Sequence, residues 1–443
     1  MIIIIYSETN AGLIEENLGM SEYSYYFVLK EFRPVLERLG IVVAVSDPEN
    51  EVDRIYRNAA KYGEDCIFLS FSPPHRTLLG CDCPTYAVFA WEFDTIPSEP
   101  WQGHAGNDWR HVFRMLGHAI THSAFTVKTA KDVMGADFPI TSIPAPVWDR
   151  FDALRRKYPP RPNHDGFELS TIGTVVDSRV MDFDLYAPQN QVPGIPAKLP
   201  PESGPDTPIR FRVDGVVYCS VFNPYDNRKN WFDMICGFCL TFRDVPDATL
   251  IFKLTHQDRS TSMHFILEDL YKLSPFKCRV ILIHGYLVDA DYEKMVAATS
   301  YVVNASRGEG QCLPLMEFMS AGKPAISPMN TAMADYITPD NAFLVRSSLE
   351  AFHWPHDPRQ AYRTRRHRID FGSLMDAYRE SYRVAKEDPK RYARMSVQAN
   401  RDLKRHCSQD VAEAKLRSFL KIGAARQTNR PRRKATAKGV ATS

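Results

Sequence analysis

No apolar run in this chain approaches the ~18–20 residues that a membrane-spanning helix needs, which excludes a helical span. Nor is one sign of charge in excess: 55 Lys and Arg against 53 Asp and Glu leave a net charge of +2. That balance gives no overall pull toward nucleic acid, and no nucleic-acid partner is expected. Clustered cysteine pairs are missing as well. The nine cysteines, an odd number, are scattered, several of them inside apolar segments (Cys219, Cys236, Cys278). Reduced, buried thiols in a cytoplasmic protein fit that usage. Cys236 and Cys239 have redox or zinc spacing but lie in a helical pattern with no second pair, and Cys81 and Cys83 have no partner cluster. Core packing is expected for both, and no metal is assigned. The opening MIIIIY lacks a basic segment and meets Ser-Glu-Thr-Asn at once, which reads as a first strand and not as a signal peptide.

What is present is an ordinary globular composition, 44% apolar and 24% charged, over 443 residues, enough for two domains. Ile2 to Tyr6 reads as a strand. Tyr25, Val28, Leu29, Phe32, Val35, Leu36 and Leu39 then recur at three- and four-residue intervals, the mark of an amphipathic helix. IVVAVS, CIFLS (66–70) and YAVFAWEF (86–93) read as further strands. From residue 158 to 207 proline becomes dense, as in a linker or excursion between domains, with a hairpin expected in LSTIGTVV (169–176). From residue 208 strands and helices alternate cleanly, which specifies a parallel, doubly wound sheet.

The most informative stretch runs from Ser300 to Ile326. Tyr301 to Val303 reads as a buried strand, SRGEGQ as a loop, and Leu313 to Ala321 as a helix with Pro314 in its first turn. Gly322 and Pro324 end that helix and lead into another strand. The loop thus falls at the carboxyl end of a strand, where open α/β sheets bind ligands. It holds Glu309 between Gly308 and Gly310, glycines that allow a ligand close to the backbone. Glu317 lies eight residues on, inside the helix, where a carboxylate needs hydrogen-bond donors such as sugar or ribose hydroxyls. The free amides from Gln311 through Cys312 to Leu313 could meet a phosphate. A second loop, NPYDNRKNW, places Arg228 and Lys229 at the expected start of the next helix, an arrangement suited to a diphosphate.

Ser-Arg-Gly-Glu-Gly, Leu-Pro, Glu317 and Ala-Gly-Lys-Pro together resemble the donor-binding signature of retaining glycosyltransferases of family 4. The resemblance is close in the C-terminal half and loose in the N-terminal half. It implies an α/β GT-B fold, two Rossmann-like doubly wound domains facing across a cleft. The expected parts are an acceptor-binding domain over 1–157, the proline-rich excursion over 158–207 and a nucleotide-sugar-binding domain over 208–355. C-terminal helices over 356–422, returning to the first domain, and a disordered tail over 423–443 would follow. By the same resemblance Glu317 takes the ribose hydroxyls and Glu309 the donor sugar's. Lys229 neutralises the departing diphosphate with Arg228, since Asn223 stands where the family usually has an arginine. Tyr286 and Leu287 lie where the family reads the nucleobase, and Lys253 is expected to reach toward the nucleotide. Gly19, in the loop after the first strand, either approaches the diphosphate or simply makes a turn.

The activity implied is that of a metal-independent hexosyltransferase with no cofactor, the nucleotide-sugar being a substrate. It would act on a glycan or glycolipid acceptor in cell-surface polysaccharide synthesis. The acceptor side is expected in the loop that follows YAVFAWEF, with Trp91, Glu92, Asp94, Trp101, His104 and Trp109, and also at His118 and His122. The tail from Gly423 carries Arg426, Arg430, Arg432, Arg433, Lys434 and Lys438 without an acid. It reads as solvated, able at most to make weak peripheral contact with anionic lipid at the inner membrane face. Two other readings stand beside this one: a GT-B nucleotide-sugar epimerase or hydrolase, and a non-catalytic carbohydrate-binding scaffold.

Overall fold

A computed structural model describes residues 1–9, 19, 23–190, 199–204 and 206–422. The basic tail expected from residue 423 lies outside the described residues.

The first sheet is wholly parallel. Its strands are β1 (Ile2–Tyr6), β2 (Ile41–Ala44), β3 (Cys66–Phe71), β4 (Thr85–Phe89), β5 (Ala119–Thr121) and β6 (Ile140–Ser142). They lie in the order β2-β1-β3-β4-β5-β6. Ile3, Ile4 and Ile5 of β1 are fully buried, as strands covered on both faces require. Helices α1 (Ser24–Leu39), α2 (Pro48–Lys61), α3 (Trp109–Leu116), α4 (Ala124–Met134) and α5 (Trp148–Lys157) form the crossovers and the exit. The periodic apolar residues predicted on α1 are the ones it buries: Tyr25, Val28, Phe32, Val35, Leu36 and Leu39.

The second sheet has eight strands: β7 (His164–Thr171), β8 (Thr174–Asp177), β9 (Ile209–Phe222), β10 (Ala248–Leu254), β11 (Arg279–His284), β12 (Tyr301–Val303), β13 (Ala325–Ser327) and β14 (Ala342–Leu344). The order is β14-β13-β12-β9-β10-β11-β8, and β7 also pairs with β9. Every residue of β10 and β11 is buried. Helices α6 (Trp231–Thr241), α7 (Ser260–Leu273), α8 (Asp289–Ala298) and α9 (Leu313–Ser320) connect the parallel strands. One expectation needs correcting. The segment 169–176 is not a hairpin, because β7 pairs antiparallel with β9 and β8 pairs antiparallel with β11. Val288 precedes α8, and the Asp289 carboxylate in its first turn is drawn to Lys30 at 3.0 Å and Arg150 at 3.3 Å.

After the second sheet come β15 (Ser347–His353) and β16 (Tyr362–Ile369), an antiparallel ribbon, then α10 (Phe371–Glu387), α11 (Pro389–Cys407) and α12 (Gln409–Phe419). The ribbon takes the start of the segment expected to be helical from residue 356: Tyr362–Ile369 is a strand, and the helices begin only at Phe371. Arg366 lies over the Phe352 ring at 3.8 Å and pairs with Glu350 at 2.7 Å. The ribbon also grips the first domain's loop after β4. Asp94 accepts hydrogen bonds from the Thr364 hydroxyl and the Arg365 amide at 2.9 and 2.8 Å, and Phe93 stacks on Phe352. Farther along, α12 returns to the first domain. Lys415 Nζ donates to the Ser142 carbonyl at 3.0 Å, Arg38 meets Asp410 and Glu413 at 3.4 Å, and Phe419 packs edge-on against Tyr86.

Candidate functional site

Two loops at the carboxyl ends of β9 and β12 build the centre of the site. Strand order reverses here, since β9 has β12 on one side and β10 on the other. After β9 the chain makes a single helical turn, Asn227–Lys229, capped by the Asp226 carboxylate, which accepts from the Arg228 amide at 3.1 Å. Helix α6 starts only at Trp231, because Asn230 takes a left-handed conformation (φ 54°). Arg228 and Lys229 therefore stand on a turn ahead of the helix, a correction to the sequence reading. After β12, Ser306 to Cys312 form the second loop. Cys312 is left-handed (φ 62°), α9 follows from Leu313, and Pro314 sits in its first turn as predicted.

The side chains converge on Glu309, which is 3% exposed. Its carboxylate accepts from Lys229 Nζ at 2.8 and 2.9 Å, from Arg228 Nη1 at 3.1 Å and from the Ser306 hydroxyl at 2.5 Å. Burial pushes this carboxyl up, but Lys229 and Arg228 outweigh it, and the pKa ends below the usual value. Burial likewise works against the Lys229 ammonium, but Glu309 together with Asp226 outweighs it, and the pKa ends above the usual value. Arg228 also donates to the Gly308 carbonyl at 2.7 Å and pairs with Asp226 at 2.7 Å. Its Nε reaches Glu92 of the first domain at 3.1 Å, so one guanidinium joins both halves of the molecule. Burial dominates at Glu92 and raises its pKa despite Arg228. The space beneath Glu309, lined by Ser220, Asn304 and Cys312, is about 10 Å3, room for about one water.

Glu317 stands apart from this network. It accepts from the Tyr292 hydroxyl at 2.5 Å, and burial lifts its pKa to about 7. The other donor-side residues divide by what they touch. A Cβ at Gly308 would stand 3.1 Å from the Glu92 carbonyl oxygen, and one at Gly310 only 2.7 Å from Ala90 Cβ. These glycines admit the first domain's backbone. Gln311 Oε1 accepts from the Ala145 amide at 2.9 Å, another link across the domains. Gly19 (φ 76°) accepts from Asn223 Nδ2 at 2.8 Å, so the asparagine in the position of the family's arginine ties the two domains together. Lys253 is buried and donates to the Leu254 and Gly285 carbonyls at 2.9 and 2.5 Å, with burial lowering its pKa to about 7. It is committed to backbone, and no nucleotide contact follows from its position. Tyr286 and the buried Leu287 lie between β11 and α8.

On the acceptor side, only Glu92 joins the central network. His104 is exposed beside the turn Trp101–Gly103. His118 precedes β5 and bonds the Thr85 carbonyl at 3.0 Å, stacked on Tyr86, at the amino ends of the strands. That is the end of the sheet away from Glu92, which corrects its acceptor-side placement. His122, 1% exposed at the carboxyl end of β5, donates from Nδ1 to the Ile143 carbonyl at 2.9 Å. Burial lowers its pKa to about 4, leaving it neutral at pH 7 with Nε2 unpartnered among the described residues. Trp91 and Trp109 are buried against each other at 4.5 Å and present no open ring to a sugar.

Sequence reasoning missed Asp226, Ser306, Tyr292 and the Arg150 cluster. Arg150 lies 3.6 Å from Glu31 of its own domain and 3.1 Å from Glu293 across the domain boundary. Only Asp226, two residues before Arg228, carried a local signal, that of an Asx turn. Among the described residues no three His, Cys, Asp or Glu side chains gather in a metal-binding arrangement, and no helix is long and apolar enough to cross a membrane.

No family model matches the chain, and no curated protein matches it. Solved structures do. TarM of S. aureus is similar over 82% of this chain at 11% identity (TM-score 0.46), and this chain spans 57% of that longer protein. The sucrose-phosphate synthase of Thermosynechococcus elongatus aligns over 95% of this chain and 98% of its own, at 13% identity and a TM-score of 0.51. Anabaena HepE, solved in complex with UDP and glucose, aligns over 95% and 99%, at 12% identity and a TM-score of 0.50. At such identities the likeness speaks for the fold. The chain has the GT-B fold, two Rossmann-like domains facing across a cleft.

Proposed function

We propose that the protein is a glycosyltransferase, similar to family 4, that moves a hexose from a nucleotide-sugar to a glycan or glycolipid acceptor. The observation that carries this reading is the cation pair Arg228–Lys229, held by carboxylates of both domains at the carboxyl edge of a parallel sheet. In the reaction the acceptor oxygen bonds to the anomeric carbon as the carbon–phosphate oxygen bond breaks. Negative charge then grows on the diphosphate, where preorganised cations help most. Lys229 and Arg228 would exchange Glu309 for that diphosphate, freeing the Glu309 carboxylate to accept from donor-sugar hydroxyls. Glu317 would exchange its bond to Tyr292 for the ribose hydroxyls, and Glu92 would face the acceptor. Retention follows if the departing phosphate takes the acceptor's proton on the same face. With two side-chain cations meeting the diphosphate, no metal would be required. A role in cell-surface polysaccharide synthesis is the broader setting we propose.

The test is a thermal-shift series with UDP-, GDP- and ADP-sugars in EDTA, on wild type, Glu317→Ala and Lys229→Ala. UDP comes first, since HepE was solved with it. Stabilisation by one nucleotide-sugar, lost in both variants, is the expected result. No stabilisation by any of them would overturn the reading.

A further inference from the structure

A second crevice lies in the first domain, apart from Glu309 and from the aromatic loop. Strand order reverses at β1, flanked by β2 and β3, and ligands of open α/β sheets bind outside the carboxyl ends at such a point. A cavity of about 320 Å3 opens there, lined by Tyr6, Ser46, Glu49, Ser70 and Arg76 over Phe68. That volume falls within the range of small-molecule sites.

Of the polar groups around it, Ser46, Asp47 and Ser70 already bond Glu51, Asn50 and Ser72. The Arg76 side chain is exposed and has no hydrogen-bond or ion-pair partner among the described residues, although Glu49 lines the same cavity. The Tyr6 hydroxyl has no partner among them either. Burial and then Glu8 raise the Tyr6 phenol, and Arg76 acts against them, so the guanidinium lies close enough to the phenol to be felt. The amides opening α2 are already met by the helix's own side chains. Asp47 accepts from the Asn50 amide at 3.3 Å, and Glu51 accepts from the Asp47 and Ser46 amides at 2.8 and 3.2 Å. Recognition of an anion here therefore falls to Arg76 and not to the helix terminus.

We infer that this crevice is a subsite for an acidic sugar of the acceptor, with Arg76 gripping its carboxylate or phosphate while Tyr6 and Glu49 read its ring hydroxyls. A neutral sugar would leave Arg76 unpaired, and a bare anion would leave the hydroxyl-reading groups unused. A ring carrying both satisfies the fork of the guanidinium and the polar wall together. The crevice lies on the same sheet edge as the end of β4, which leads to Glu92. One to two strand spacings separate them, about 5–10 Å, so the bound unit would be a non-reacting sugar upstream of the transfer point. Naming this unit part of the acceptor rests on the transferase reading.

The test is calorimetry on the full chain with glucuronic acid, glucose 6-phosphate, glucose and inorganic phosphate, with UDP titrated separately. Wild type, Arg76→Gln and Tyr6→Phe are compared. The acidic sugars should bind about tenfold or more tightly than glucose, the ordinary worth of one charge-assisted hydrogen bond. Arg76→Gln should erase that preference and leave UDP binding unchanged, and Tyr6→Phe should weaken every sugar. Equal binding of glucose and glucuronic acid, a preference that survives Arg76→Gln, or inorganic phosphate matching glucose 6-phosphate would each overturn the inference. If UDP binds and no acidic sugar does, the subsite falls and the transferase reading stands. If Arg76 governs acidic-sugar binding and UDP binds to no form, the reverse holds.

Discussion

Glu309 and Glu317 lie eight residues apart on one loop and helix, yet the fold surrounds them differently. Glu309 has two cations and a hydroxyl on its oxygens and is held ionised. Glu317 has one phenol hydroxyl and little else, and at a pKa near 7 it is only partly ionised at neutral pH. Burial acts on both; the difference is who shares it. A carboxylate with resident cations is a structural counter-ion until a ligand takes those cations. A carboxyl with only a neutral partner is ready to exchange it for another hydroxyl.

The largest way to break this contrast is Arg228→Ala. It leaves Glu92, Asp226 and Glu309 around the single cation of Lys229, and removing one partner from a buried network costs about 3–5 kcal/mol. Denaturant unfolding at pH 7 would measure the loss, and an unchanged midpoint would mean that the network contributes nothing to the closed form.

The pH dependence separates the two glutamates. For Glu309 the folded pKa is depressed, so its contribution is present above the ordinary value of 4.5 and is lost as pH falls through the folded pKa. For Glu317 the folded pKa is raised from 4.5 to about 7, so its contribution is full below 4.5 and is lost as pH rises to about 7. That loss is on the order of 2–3 kcal/mol. Glu317→Gln should flatten the stability curve between those pH values, and Glu309→Gln should flatten only the acid limb. Identical curves for the two variants would erase the distinction.

Gly310→Ala probes the closure that brings Glu92 to Arg228. The new methyl would stand 2.7 Å from Ala90 Cβ and 3.0 Å from the Trp91 amide, an overlap costing about 1–3 kcal/mol if the domains close as they do here. The expected result is a larger radius of gyration in solution scattering with an unchanged unfolding midpoint. The smallest effect is that of Tyr292→Phe, which removes the hydrogen bond that the Glu317 carboxyl makes among the described residues, for about 1 kcal/mol. It should move the Glu317 titration upward in carboxyl-detected NMR.

Much of the fold was legible because local chemistry and tertiary placement agree. The predicted strand, loop, helix and strand from Tyr301 to Ile326 emerge as β12, α9 and β13, with Gly322 left-handed at the turn after the helix. The ribbon β15–β16 was not legible, since YRTRRHRI has none of the apolar alternation of a strand and owes its form to Phe352, Glu350 and Asp94. The link from Glu92 to Arg228 was hidden for another reason. It spans two domains, and no spacing in the chain encodes it. Lys253 and His118 illustrate the converse, chemistry-bearing residues whose polar atoms the fold gives to backbone carbonyls.

The return of α12 has a consequence for anyone cutting this protein apart. Ala412 and Leu416 are buried, and Lys415 bonds the end of β6, so the first domain is assembled from two separate pieces of chain. A fragment ending at residue 157 would leave the Tyr86 and Ser142 side of its sheet bare. A chimera that exchanges the first domain for another acceptor specificity must therefore carry residues 409–422 along with residues 1–157.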